Sequence, residues 1–192
     1  MQKQILTNWG GVKIVCDPVF LFSKQEWVER LIGRVPILKK KYIFFYTLFA
    51  DAESIAMVKE LSKRTELPIV VANFTNAYDF VNPFEKHYNS GPIDFLNFIY
   101  YAEMVCTSSF HGTAFAVLLN KQLVCIRGMR DSRISSLLKY MGMQDRSVAN
   151  LEKMRSFDLN VMTDYELVNE KIKNYSSEGR SFLKNSLNGT DL

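Results

Sequence analysis

Nothing in this 192-residue sequence is long and apolar enough to cross a bilayer, since a spanning helix needs roughly 18 such residues in a row. The longest uncharged stretch, Met104 to Asn120, is interrupted by Thr107, Ser108, Ser109, His111, Gly112 and Thr113. The opening MQKQILTNWGG lacks the apolar centre of a secretory signal. Cysteine is scarce, at three, with no CxxC pair and no Cys/His cluster. An odd count inside apolar runs (Cys16, Cys106, Cys125) argues for buried reduced thiols and against a disulfide framework, and no metal is expected. Charge of one sign is also scarce: 24 Lys+Arg against 20 Asp+Glu leave +4. That is too mild for nucleic acid and compatible with a small anionic ligand. Hydrophobic residues at 47% and charged ones at 23% exclude wholesale disorder and coiled coil. Residues 1–192 therefore read as one cytoplasmic domain, at most peripheral at the inner face of a membrane.

Apolar runs alternate with helical patterns along the chain. Val12 to Cys16, Tyr42 to Phe49, Ile69 to Ala72, Met104 to Thr107 and Leu123 to Arg127 read as strands. Between them, Ser23 and Glu26 form a capping-box spacing ahead of Trp27 and Leu31. Ile55, Val58 and Leu61 share a helical face over about 53–65. Pro92 opens a helix from Ile93 to about Glu103. Gly112 to Asn120 is a short apolar helix. Ile134, Leu137, Leu138 and Met141 hold the i, i+3, i+4, i+7 pattern, capped by Asp131 or Ser132 and ended by Gly142. Thr163 and Glu166 cap a C-terminal helix over 163–187. Residues 73–92 read as a polar loop, and 143–162 as a polar surface crossing. Near-continuous apolar strands between helices predict an α/β fold: a Rossmann-like parallel sheet of about five strands with helices on both faces.

Doubly wound sheets bind ligands where strands pass into helices at their carboxyl ends. The most unusual such junction is MVCTSSFHGTAFAVLLN. Here an apolar strand runs into Ser108, Ser109, Phe110, His111, Gly112 and Thr113, and an apolar helix follows. A helix N-terminus offers unpaired N–H groups to an anion, a glycine permits close approach, and His111 can hold or release a proton near neutrality. Ser108 and Ser109 read equally well as helix caps, and His111 as a structural histidine. His87, in the polar loop, reads as solvated surface. The next junction carries Arg127, Arg130 and Arg133, whose planar forks suit phosphate and carboxylate.

The run GPIDFLNFIYYAEMVCTSSFHGTAFAVLLNKQ resembles the C-terminal half of polysaccharide pyruvyl transferases. The matching positions are Gly91, Pro92, Phe95, Leu96, Ala102, Val105, Thr107, Ser109, Phe110, His111, Gly112 and Lys121. Asp17-Pro18 through Leu21 with Trp27 is similar to a flanking family segment. So is Ser132-Arg133-Ile134 through Leu137-Leu138, Gly142 and Asp145-Arg146.

The resemblance implies the C-terminal domain of a GT-B-like transferase that moves the enolpyruvyl group of phosphoenolpyruvate onto a sugar. The product is a pyruvate ketal, and phosphate leaves. It implies His111 as the key catalytic residue, no cofactor beyond the phosphoenolpyruvate donor, and a sugar or lipid-linked oligosaccharide acceptor. Ser108, Ser109, Phe110, Gly112, Thr113 and Gly91 then become donor-site candidates. Arg133 is the first choice among the arginines, with Arg130 the second. Family members usually carry a preceding Rossmann-like domain, so residues 1–11 read as the tail of an interdomain helix. A missing N-terminal domain or a partner chain is expected to complete the cleft. Two rivals share the architecture: a glycosyltransferase using a nucleotide sugar, and a non-catalytic half that only binds an anion or a partner.

Overall fold

The computed structural model describes residues 15–33, 35–48, 51–72, 82–127 and 131–188. Arg130, residues 1–11 and the 73–81 part of the 73–92 segment therefore lie outside the described residues. Pro18–Leu21 forms a 3₁₀ turn capped by Asp17. Helix α1 (Lys24–Trp27) follows, with Ser23 and Glu26 closing the anticipated capping box, and continues as a π turn over Val28–Ile32. Then come β1 (Ile43–Tyr46), α2 (Ala52–Thr65), β2 (Ile69–Ala72), β3 (Glu85–His87) and α3 (Pro92–Tyr101). The second half contains β4 (Met104–Thr107), α4 (Phe110–Leu118), β5 (Gln122–Ile126), α5 (Ser132–Met141), β6 (Ser147–Val148), α6 (Leu151–Arg155) and α7 (Tyr165–Leu187).

All strand pairs are parallel, and the six-stranded sheet runs β3-β2-β1-β4-β5-β6. This is an α/β Rossmann-like sheet with one more strand than the apolar runs predict. The 73–92 segment contains β3, and the 143–162 segment contains β6 and α6. Val15 and Cys16 belong to no strand, although Cys16 is buried. A Cβ at Gly179 of α7 would overlap the Cys16 sulfur, so that helix lies directly on the segment.

Alternating side chains feed two cores, as parallel strands covered on both faces require. Phe44, Val105 and Cys125 pack with Leu96, Leu118, Leu138 and Ile172 on the face covered by α3, α4, α5 and α7. Phe45, Cys106 and Val124 pack with Val58, Leu61 and Met154 on the face covered by α2 and α6. Phe44 and Phe45 are both fully buried. Each removes an aromatic side chain from water, worth about 1.5–3 kcal/mol. The second face is clamped by Arg64, which donates to the Met154 carbonyl at 2.5 Å and the Phe157 carbonyl at 2.7 Å. Among the described residues no helix is long and apolar enough to cross a membrane.

Candidate functional site

Chain order reverses between β1 and β4: β2 and β3 lie beyond β1 on one side, β5 and β6 beyond β4 on the other. A crevice at that reversal, at the carboxyl ends of the strands, is where such sheets bind ligands. Thr47, just past β1, and Ser108, just past β4, meet across it with hydroxyl oxygens 2.6 Å apart.

The turn from β4 into α4 is built by its own polar groups. Ser109 is the N-cap, and its hydroxyl accepts from the Gly112 N–H at 3.4 Å. Its own N–H donates to Thr107 Oγ1 at 3.0 Å, and Thr107 donates to the Tyr46 carbonyl. The Thr113 hydroxyl donates to the Ser109 carbonyl at 2.9 Å. Thr107, Ser109, Gly112 and Thr113 are all buried. A Cβ on Gly112 would sit 2.5 Å from Thr107 Oγ1. The glycine is therefore required by helix-to-strand packing, whereas the sequence suggests a close ligand approach. The side chains of Ser109 and Thr113 likewise hold the turn's shape, facing inward.

What remains open is Ser108, Phe110 and His111, with the N–H groups of Phe110 and His111, which the helix start leaves without intrahelical partners. His111 is exposed. Its ring meets the Phe110 ring edge to face at 5.4 Å. The Arg133 guanidinium lies 5.0 Å from the Phe110 centroid, a cation–π distance. The structure thus brings Arg133 from α5 to the first turn of α4 through Phe110.

Arg133 is not alone there. Asp131, the N-cap of α5, accepts from Arg133 Nη2 at 2.8 Å, Nε at 3.2 Å and the backbone N–H at 2.8 Å. The Arg133 hydrogen bond holds the Asp131 carboxyl below its usual range, and Asp131 in turn raises the guanidinium. Nη1 keeps no partner among the described residues. Arg127 pairs with Asp51, the N-cap of α2, so a second ion pair spans the same end of the sheet.

Gly91 sits apart from this cluster, at the N-cap of α3, with its N–H donating to Asp94 at 2.8 Å. It lines a hollow of about 270 Å3 with Tyr46, Ala72, Ser90 and Phe95, beyond the carboxyl ends of β1 and β2. His87 is not free surface. It lies on β3, half-buried, 3.2 Å from the Glu85 carboxylate and with its ring 4.9 Å from Phe98. Burial alone would raise Glu85, but hydrogen bonds from Lys40 and His87 prevail and hold it low.

Sequence reasoning misses Thr47, Asp131 as the partner of Arg133, and Asp51 as the partner of Arg127. A polar residue ending the apolar run YIFFYTLF is the signal available for Thr47. The Arg127–Asp51 pair, 76 residues apart, depends on sheet order and has no local signature, whereas Arg133 and Asp131 stand two residues apart at the start of α5. Among the described residues no group of His, Cys, Asp and Glu is placed to hold a metal.

Comparison with curated proteins finds no match. The sequence model of the polysaccharide pyruvyl transferase family matches residues 1–128, which include the whole β4–α4 turn and stop short of Arg133. With residues 1–128 of 192 matched, two thirds of its length, the chain belongs to the polysaccharide pyruvyl transferase family.

Proposed function

We propose that this chain carries the donor side of a pyruvyl transferase, binding phosphoenolpyruvate in the crevice between β1 and β4. The observation that carries the reading is the exposed His111 on the open first turn of α4, with Arg133 held beside it across the Phe110 ring. The donor phosphate sits on the N–H groups of Phe110 and His111 and on the Ser108 hydroxyl, where the helix dipole favours negative charge. The donor carboxylate takes Arg133 Nη1, and an arginine keeps donors to spare after a bidentate pair. Ser109, Gly112 and Thr113 contribute by fixing the turn.

The chemistry follows from the charges. A proton goes to C3 of phosphoenolpyruvate, and C2 becomes electrophilic. A sugar hydroxyl adds at C2 and loses its proton. The C2–O bond to phosphate breaks, a second sugar hydroxyl adds and loses its proton, and the ketal closes. One donor and two hydroxyls thus give one ketal and one phosphate. His111 acts as the proton donor or as the electrostatic partner of these steps, a role worth about 10²–10⁴-fold in rate. The acceptor, a sugar of a surface polysaccharide or its lipid-linked precursor, approaches from the side of exposed Leu48 and Ile93. A further domain or a partner chain supplies its other contacts. The work belongs at the cytoplasmic face of a membrane.

Calorimetric titration with phosphoenolpyruvate, beside a panel of nucleotide sugars, tests the reading. Saturable binding of phosphoenolpyruvate alone, weakened at least about tenfold in His111→Ala, supports it. A nucleotide sugar binding in its place overturns it in favour of glycosyl transfer. Unchanged phosphate release by His111→Ala, in an assembly able to turn over, removes His111 from the chemistry.

A further inference from the structure

A separate cavity of about 450 Å3 opens at the other end of α4, against α7 and the start of α1. Leu118 lines it from the last turn of α4, roughly 10 Å along the helix axis from His111 at 1.5 Å per residue. Its apolar wall is made by Phe20, Phe22, Leu118 and Ile172, beside neutral polar groups such as Ser23, Asn169 and Ser176. Its rim is cationic: Lys24, Lys173 and Arg180. No carboxylate lines it. Glu26, which reaches Arg180 at 3.6 Å, stands outside the lining.

Arg180 shares its charge with Glu26, whereas Lys24 and Lys173 have no ion-pair partner among the described residues. Lys24 is half-buried, and burial pulls its amine below the usual lysine range. The neighbouring Lys121 is lowered by burial first and then by the positive field of Lys24. Gathering cations over an apolar pocket without an anion opposes folding, so a ligand that brings the anion is favoured there. The buried Oδ1 of Asn120, also in the lining, finds no donor among the described residues.

We propose that this cavity is a second ligand site, distinct from the donor crevice, for an amphiphilic anion: an apolar body that carries a phosphate head. The apolar wall takes the body, and Lys24, Lys173 and Arg180 take the head. The shared chemistry fits both a soluble alkyl phosphate and the head of a bilayer lipid.

Calorimetric titration of the full chain with octyl phosphate tests this, with inorganic phosphate and octanol as head-only and body-only controls. The expected result is saturable binding at least about tenfold tighter than either control. Lys24→Gln/Lys173→Glu should bind at least about tenfold more weakly, whereas His111→Ala and excess phosphoenolpyruvate should change nothing. Lys173→Glu alone, at an exposed position, serves if the double variant fails to fold. Sedimentation with phosphatidylglycerol vesicles, against phosphatidylcholine vesicles, separates the sources. Octyl phosphate binding with vesicle binding assigns a bilayer lipid, octyl phosphate binding without it assigns a soluble amphiphile, and both uphold the site. No saturable binding of octyl phosphate, equal binding by the charge variants, or displacement by phosphoenolpyruvate would overturn it.

Discussion

Two strand-to-helix junctions lie side by side at the carboxyl end of the sheet and are held by opposite means. The β4–α4 turn is tied by neutral groups: hydroxyls, amides and carbonyls, nearly all buried. The β5–α5 junction is tied by ion pairs, Arg133 to Asp131 and Arg127 to Asp51, with Asp51 and the Arg133 side chain largely in solvent. Buried neutral bonds lose little to salt or pH and leave no room to shift. Exposed ion pairs are each worth about 0–1 kcal/mol and can exchange partners. The first junction thus supplies fixed geometry beneath His111. The second supplies charge that an incoming anion can share.

The sharpest way to break this contrast is Gly112→Ala. The new Cβ meets Thr107 Oγ1 at 2.5 Å, and that oxygen is already bonded to both Ser109 and Tyr46. Ala is favoured over Gly inside a helix by about 1 kcal/mol, but the overlap outweighs that gain. A net loss of about 1–3 kcal/mol is expected from denaturant unfolding. The loss in Gly112→Ala/Thr107→Ala should be smaller than the sum of the two single losses, because the residues touch. Additive losses would mean that Gly112 is not there for packing. By contrast His111→Ala, at an exposed position, should leave stability within about 0.5 kcal/mol of wild type, so its effect on donor binding can be read without a folding artefact.

Much of this arrangement is legible in the sequence, and the gaps have physical causes. Strands β1, β2, β4 and β5 are buried on both faces, so they read as apolar runs. Edge strand β3 is Glu-Lys-His, each residue half-buried, and β6 has only two residues. Neither carries the hydrophobic pattern from which strands are recognised. At the site, SSFHG is visible because a capping serine and a glycine between an apolar strand and an apolar helix mark a tightly packed helix start. Side-chain direction is not visible. Within seven consecutive residues, Thr107, Ser109, Gly112 and Thr113 face inward while His111 faces out. The Arg133–Phe110 contact and the Arg127–Asp51 pair, 76 residues apart, arise only once α4, α5 and the strands are packed side by side.

A middle-sized test falls on the N-cap of α4. Ser109→Ala removes an acceptor from the Gly112 N–H, a bond of 3.4 Å and therefore a long one. A loss of about 0.5–1 kcal/mol is expected, at the low end for caps, with no dependence on salt. If raising the salt concentration changed the size of this loss, the neutral description of the junction would be wrong.

The smallest effect belongs to the charged junction and sharpens the contrast through pH. Asp131 is held below its ordinary value, first by the hydrogen bond from Arg133. The folded chain therefore binds this proton less readily than the unfolded chain. The stability Asp131 contributes is complete above the ordinary carboxylate pKa of about 3.9 and is lost as pH falls through the lower folded value. Asp131→Asn keeps an oxygen able to cap α5 but carries no charge. Near neutral pH it should cost about 0.5 kcal/mol, the scale of an exposed pair. Below about pH 4 the variant and the wild type should converge, because acid removes from the wild type what the substitution has already removed. Thermal melts of the two proteins from pH 7 to pH 3 would show the gap closing. A gap that stayed constant would locate the contribution in the cap's geometry and leave the ion pair without a role in stability.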